Sequence, residues 1–430
     1  MIRHLLLLGA LALALGAAVR LTTASIPAAV AEPAAGKARP AAPAQTLPSA
    51  EVQPRVEGEG RPRWEELWSR AAPGLAAMAL AGDGATVAWV DRAGSVRGMD
   101  GRGRTLWRTP PLPGVNRLVA LPGSGNVIAY SWLNPERPLL RVVGPGPGGV
   151  GKTLASYPTE GAIWNVAVSP DGRYVLAGTG QRFLYVFSPE PDGTLTAVAR
   201  WEAPGIPESV SAGTVSRPAS GPLALLGTWQ EAGVSAWSLD SGKPRWRYLE
   251  PESARLYQIH VSGDGARAVG VSASGPRGAG ARLHVWDART GVPLWTKELD
   301  ASRPKVLTTR EGGLVAASYV KTLNYRTGEA TARKLALYDS QGRKLWEKGG
   351  EFFSPTLVAL SPDGGRLTVA DGANTLYTLD ARGHFVSQLR FPVNPKTDTR
   401  PTIQEAVATP DAGFLLVRRG DGQISLLKAT

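Results

Sequence analysis

Apolar residues in this chain come in short alternating runs rather than helical stripes, and turn residues punctuate the runs at regular intervals. In Asn165-Val-Ala-Val-Ser-Pro-Asp171-Gly172-Arg-Tyr-Val-Leu-Ala, two apolar runs flank an Asp-Gly pair. Period-two alternation, β-branched and aromatic content and a D-G turn together predict a β-hairpin. Equivalent turns fall at Asp83-Gly84, Gly123-Ser124, Ser220-Gly221, Asp264-Gly265, Glu311-Gly312, Asp363-Gly364 and Asp411-Ala412, which makes eight in all.

A second phrase recurs between these hairpins: a glycine, three residues, then a tryptophan. It reads Asp100-Gly-Arg-Gly103-Arg-Thr-Leu-Trp107, Leu239-Asp240-Ser-Gly242-Lys-Pro-Arg-Trp246, Val285-Trp-Asp287-Ala-Arg-Thr-Gly291-Val-Pro-Leu-Trp295 and Leu337-Tyr-Asp339-Ser-Gln-Gly342-Arg-Lys-Leu-Trp346. Weaker copies keep the glycine and lose the tryptophan, at Gly151 with Ala155, Gly193 with Ala197 and Gly383 with Ser387. One unit therefore holds four strands: A, the Asp-Gly turn, B, a variable loop, C, the glycine turn, and D with the tryptophan. Repeats of roughly 40 to 50 residues built this way are the blades of a β-propeller.

The last unit, Thr402 to Thr430, supplies A, B and C but no D strand. Its counterpart lies upstream, where Gly60-Arg-Pro-Arg-Trp64 copies Gly242-Lys-Pro-Arg-Trp246. An N-terminal strand that pairs with C-terminal strands closes the ring. The expected fold is thus all-β, an eight-bladed propeller of four-stranded antiparallel blades over residues 60–430; seven blades is the alternative if the closing strand is misassigned. Trp64, Trp107, Trp246, Trp295 and Trp346 are expected to be structural, because an indole buries a large apolar area and needs one acceptor for its N–H.

The phrase Ala236-Trp-Ser-Leu-Asp240-Ser-Gly242-Lys-Pro-Arg-Trp246 resembles the tryptophan-docking motif of PQQ-like, quinoprotein-type eight-bladed propellers. The Ser-Pro-Asp-Gly turns at Ser169 and Ser361 look like those of WD40 propellers. The resemblance covers roughly residues 60–430 and speaks for fold more than function, since such folds host many unrelated activities. It implies two readings. One is a PQQ- and calcium-dependent dehydrogenase; active members are typically longer, and many stack the quinone on a disulfide between adjacent cysteines. The other is a cofactor-free scaffold like the PQQ-like propeller of the outer-membrane β-barrel assembly machinery, a lipoprotein.

Composition separates these. The chain has no cysteine, so it makes neither the disulfide nor a lipidated N-terminal cysteine. No run of Asp, Glu and Asn has calcium-loop spacing. No G-x-S-x-G elbow or H-E-x-x-H helix occurs. His260, His284 and His384 are scattered and read as structural rather than as metal ligands. Gly146-Pro-Gly-Gly-Val-Gly151-Lys152-Thr153 matches the P-loop pattern, but the next residues, Leu-Ala-Ser-Tyr-Pro158, have no helical periodicity. A P-loop must open a helix to hold phosphate, and Gly151 is in register with Gly242, so this is a C–D turn with a Gly/Pro insertion. No catalytic residue, metal or cofactor is expected.

Residues 1–31 carry a basic start at Arg3, an apolar run from Leu5 to Val19 and Ala29-Val-Ala31, the layout of a secretory signal; an uncleaved anchor is the alternative. Residues 32–59 are rich in Ala and Pro and read as a disordered linker. The expected location is therefore outside the cytoplasm, secreted or in the cell envelope, with peripheral or N-terminal membrane association and a monomeric state. Formal charge is +12, and removal of Arg3 and Arg20 with the leader leaves about +10. That balance suits a protein partner or an anionic envelope polymer rather than nucleic acid outside the cytoplasm.

In a four-stranded blade the A–B and C–D turns share one face, and the B–C and D–A loops share the other. The second set contains the long segments: Ser131 to Pro138, Ala273 to Arg282, Lys321 to Lys334 and Pro392 to Thr402. Binding functions concentrate on such loops. Trp132, Arg137, Arg277, Arg282, Lys321, Tyr325, Arg326, Lys396 and Arg400 are the expected contact residues, basic with aromatic anchors.

Overall fold

The computed structural model describes residues 64–214, 221–229, 231, 233–250, 255–274, 280–299, 301–324, 329–349, 355–371, 374–392 and 402–430. The leader, the linker and residues 60–63 of the expected propeller lie outside these. Among the described residues no helix is long and apolar enough to cross a membrane.

The described strands form eight four-stranded sheets, each in the order A-B-C-D. Blade 1 consists of Leu75–Leu80, Thr86–Asp91, Val96–Asp100 and Thr105–Arg108. Blade 8 takes Ile403–Ala408, Phe414–Arg419 and Gln423–Ala429 from the C-terminal region, and its outermost strand is Trp64–Ala71. That strand runs antiparallel to Gln423–Ala429, with Trp64 opposite Ala429 and Ala71 opposite Gln423. The ring is closed as expected, and the count is eight rather than seven.

Apolar packing lies between blades rather than at the ring's centre. Each of the eight buried clusters straddles one seam; Val90, Val96 and Trp107 of blade 1, for instance, pack with Leu118, Val127, Ala129 and Val143 of blade 2. The last seam joins Leu416, Ile424 and Leu426 of blade 8 to Met78, Val87 and Trp89 of blade 1. B strands are therefore covered on both faces, which is why Pro222–Trp229 reads as a nearly unbroken apolar run. Outer D strands such as Pro293–Leu299 are half exposed and keep polar residues.

The two recurrent phrases do different work. At the A–B turns the backbone passes through the left-handed region, and in blades 3, 5, 6, 7 and 8 a Ser or Thr hydroxyl organises the turn: Ser361 Oγ donates to Asp363 Oδ1 at 2.6 Å and accepts from the Arg366 N–H. At the C–D turns the glycine receives the tryptophan of the preceding blade. Trp246 lies on the Gly291 turn and donates its indole N–H to Ala288 O at 2.8 Å. Trp295 and Trp346 repeat the contact with Ser340 O and Ala381 O. Trp107 packs on Gly151, so the P-loop-like segment is a C–D turn: a short 3-10 turn at Pro147–Gly149 precedes the D strand Gly151–Pro158, which is antiparallel to Leu139–Pro145. Where blade 2 lacks the tryptophan, Asn126 and Leu154 cover the Gly193 turn.

Two expectations are corrected. The closing strand's docking residue is Trp68, whose N–H reaches Gly101 O at 3.0 Å across the blade 8–blade 1 seam. Trp64 faces the other way and donates to Thr368 Oγ1 of blade 7. The described parts of Ala273–Arg282 and Lys321–Lys334 are strand rather than loop; residues 275–279 and 325–328 lie outside the described residues. Arg267–Ser274 pairs with Gly280–Asp287, and Val315–Asn324 pairs with Glu329–Tyr338. Ladder hydrogen bonds to a paired neighbour hold these Ala-, Gly- and Thr-rich stretches extended despite weak strand propensity.

Candidate binding face

At the loop-face ends of the A and B strands, side chains of blades 2 to 5 follow one another as an arc of contacts. It begins where the B strand of blade 2, Val127–Tyr130, gives way to an irregular loop. Leu133 adopts φ 54° and turns the chain sharply after Trp132. Trp132 is pinned on two sides: its backbone N–H donates to Asn116 Oδ1 at 2.8 Å, and its indole N–H donates to Trp164 O at 3.0 Å. A parallel backbone bridge to Ile163 and a 3.0 Å hydrogen bond from Leu133 N to Ile163 O tie the loop to blade 3. The guanidinium of Arg117 lies 4.6 Å from the Trp132 ring centroid. Despite these restraints Trp132 is 39% exposed and Leu133 38%.

Trp164, on the A strand Ile163–Val168 of blade 3, continues the arc and lies 5.3 Å from Trp229 at 40°. Trp229 ends the B strand of blade 4 and bridges to Arg255, whose guanidinium is 5.8 Å from its ring. Arg255 in turn binds Glu208, its Nε 2.7 Å from Oε1. The sequence of groups is therefore cation, three indoles, cation, spread over four consecutive blades.

Titratable groups near the inner strands are perturbed by burial. Burial raises the Glu405 carboxyl, and the nearby Arg418, Arg117 and Lys305 oppose that rise. Burial pushes Lys305 down, against the attraction of Glu405. His260 is pushed down to about 4, first by burial and then by Lys305, and is neutral at pH 7. His284 is driven the same way, to about 4, by burial and then Arg282; it hydrogen-bonds with Ser272 Oγ at 2.9 Å and with Thr296 Oγ1 at 3.1 Å. Among the described residues no group of His, Asp or Glu is arranged to hold a metal ion.

A family model described as outer membrane protein assembly factor BamB matches residues 230–410. Solved structures with the same fold include the Dos1 propeller, at 13% identity and TM-score 0.63 over 86% of this chain and 95% of that one. Sqt1 of Saccharomyces cerevisiae aligns at 13% identity and TM-score 0.62 over 84% of this chain and 96% of its own. Sqt1 of Chaetomium thermophilum, solved bound to the N-terminus of the ribosomal protein L10, aligns at 15% and 0.60 over 84% and 97%. The chain is an eight-bladed β-propeller, and the PQQ-like repeat model matches its residues 230–410. Comparison with curated proteins finds no match.

On this propeller the expected contact residues divide into three groups. Trp132 and Arg137 sit on the irregular blade 2 loop, both exposed, with the Arg137 stem against Gly114. Arg282 is on a C strand instead: its Nη1 is 2.6 Å from Glu250 Oε1 and its Nη2 3.1 Å from Glu298 Oε1. Lys321 is on the B strand of blade 6. Arg277, Tyr325, Arg326, Lys396 and Arg400 lie outside the described residues. Sequence reasoning missed Arg117, Trp164, Trp229 and Arg255. The signal for them is positional: each stands at the start of an A strand or just outside one, or at the end of a B strand, which is the loop-face end.

Proposed function

We propose that this propeller is a non-enzymatic, exported binding module that holds a protein partner on its B–C/D–A face. The observation that carries the reading is the arc from Arg117 through Trp132, Trp164 and Trp229 to Arg255. Rigidly held aromatic and arginine side chains at a loop face are the composition of interface hot spots, and arginine suits carboxylate recognition. The match to an assembly-factor family model supports a scaffold role, as does a propeller of the same fold, Sqt1, bound to a protein N-terminus. Export rests on the leader-like residues 1–31, and the +12 balance favours an acidic partner surface.

Proximity crosslinking from the native cell, with the probe placed at Asn134 on the blade 2 loop, tests this. A protein of the cell envelope should be captured, and capture should fall when Trp132→Ala and Arg117→Gln are combined. Unchanged capture by the double variant rejects the face. Reconstitution with PQQ and Ca²⁺ tests the non-enzymatic part: dye-linked alcohol or sugar oxidation would overturn it.

A further inference from the structure

The arc differs along its length in what remains available to a partner. At the blade 4–5 end, Arg255 is engaged by Glu208. At the blade 2 end, Arg117 donates to the backbone oxygen of Asn116 and feels the charge of Glu405 without a close ion pair to it, and Arg137 has no close ion pair among the described residues. Arg117 lies against Trp132, and Arg137 stands further along the loop that carries Trp132 and Leu133, consecutive large apolar side chains that are both more than one-third exposed. One carboxylate, Glu136, shares the loop; its backbone N–H is capped by Asn134 Oδ1 at 3.0 Å, which orders the segment.

Ring faces decide which kind of ligand fits. A sugar polymer stacks on an open indole face. Here Arg117 lies over the Trp132 ring, while Trp164 and Trp229 pack against each other. The exposed Leu133 side chain offers nothing to a sugar hydroxyl but suits an aliphatic or aromatic side chain. Holding Trp132 by two hydrogen bonds removes most of the ordering entropy that an exposed anchor would otherwise lose on binding.

We propose that Trp132 and Leu133, flanked by Arg117 and Arg137, form a seat for an acidic peptide segment: an apolar side chain rests on the Trp-Leu step, and neighbouring carboxylates engage the two guanidinium groups. This deepens the binding-face reading and rests on it. Charge-assisted, bidentate arginine–carboxylate pairing supplies the polar part of the recognition, and apolar burial against the indole supplies the rest.

A random dodecapeptide library displayed on phage and panned on the full-length protein tests the seat. Enriched peptides should carry Asp or Glu beside Phe, Leu, Ile or Trp. Measured by fluorescence anisotropy, Trp132→Ala should weaken their binding about tenfold or more, the range of an interface anchor. Arg117→Gln and Arg137→Gln should each weaken it several-fold and flatten its dependence on salt. Circular dichroism checks that each variant folds, and Leu133→Ser repeats the test if Trp132→Ala does not. Enrichment of basic peptides, absence of enrichment, or affinity unmoved by these variants would overturn the proposal. So would displacement of the peptide by alginate at equal carboxylate concentration, which would replace the peptide with a polymer. Envelope capture that persists without peptide enrichment leaves the face standing and removes only the acidic-peptide assignment.

Discussion

Gly291 carries two constraints at once. Its φ is +73°, where a side chain is disfavoured, and a Cβ there would stand 2.5 Å from the Trp246 ring. Gly291→Ala should therefore combine backbone strain with overpacking and destabilise the fold by roughly 2–4 kcal/mol. Urea denaturation measures it, and a loss below about 1 kcal/mol would mean the docked indole is not held as described. His260 gives a pH test. Its native value is about 4 against a usual 6.5. Unfolding therefore takes up a proton between those values. Stability from the neutral imidazole is complete above pH 6.5 and is lost as pH falls towards 4. His260 alone should contribute a slope of about 1.4 kcal/mol per pH unit within that window; His284 acts in the same direction, so His260→Gln should lower the slope by the His260 share.

Strands show where sequence patterns reach their limit. The turns were legible because their chemistry is local: a residue that must take a left-handed φ, or a hydroxyl that must cap an aspartate, announces itself within a few positions. The swap of Trp64 for Trp68 was not legible. Both lie on the same D strand, and an irregularity in its pairing with Gln423–Ala429, between Glu66 and Trp68, helps set which indole meets the next blade. The arc residues were hidden for a related reason. Whether Trp164 or Trp229 faces the loop end or a seam depends on ring geometry that no local period encodes. Arg282 illustrates the same limit with a measurable consequence. Placed on the C strand of blade 5, it pairs with Glu250, whose side chain is 3% exposed. Removing the guanidinium leaves that carboxylate facing His284 at 3.3 Å, and burial keeps His284 neutral. Arg282→Ala should therefore destabilise the protein by about 3–5 kcal/mol, as breaking a buried pair does. A solvent-facing contact residue would lose partner binding with stability within about 0.5 kcal/mol. Thermal unfolding of the variant separates the two roles.

Closure is a property of the whole ring. Eight seam clusters succeed one another without a break, and the one that joins blade 8 to blade 1 draws Trp68 from the closing strand. Trp64 from the same strand belongs to the cluster between blades 7 and 8. One strand thus contributes an indole to two seams and covers the outer edge of Gln423–Ala429. Its removal would open both seams and expose a strand edge whose N–H and C=O groups can pair with another molecule. Deletion of residues 60–71 should accordingly shift the protein from a single species to aggregate in size-exclusion chromatography, with a cooperative melt lost or lowered by many degrees. Deletion of residues 32–55 removes only Ala/Pro-rich chain upstream of Trp64 and should leave both measurements unchanged. If the two truncations behave alike, the N-terminal strand does not close the ring in solution. The binding face would be affected as well, because blade 1 is held against blade 8 by that strand and blade 2 packs on blade 1, so the position of Trp132 depends on a segment of chain that never touches it.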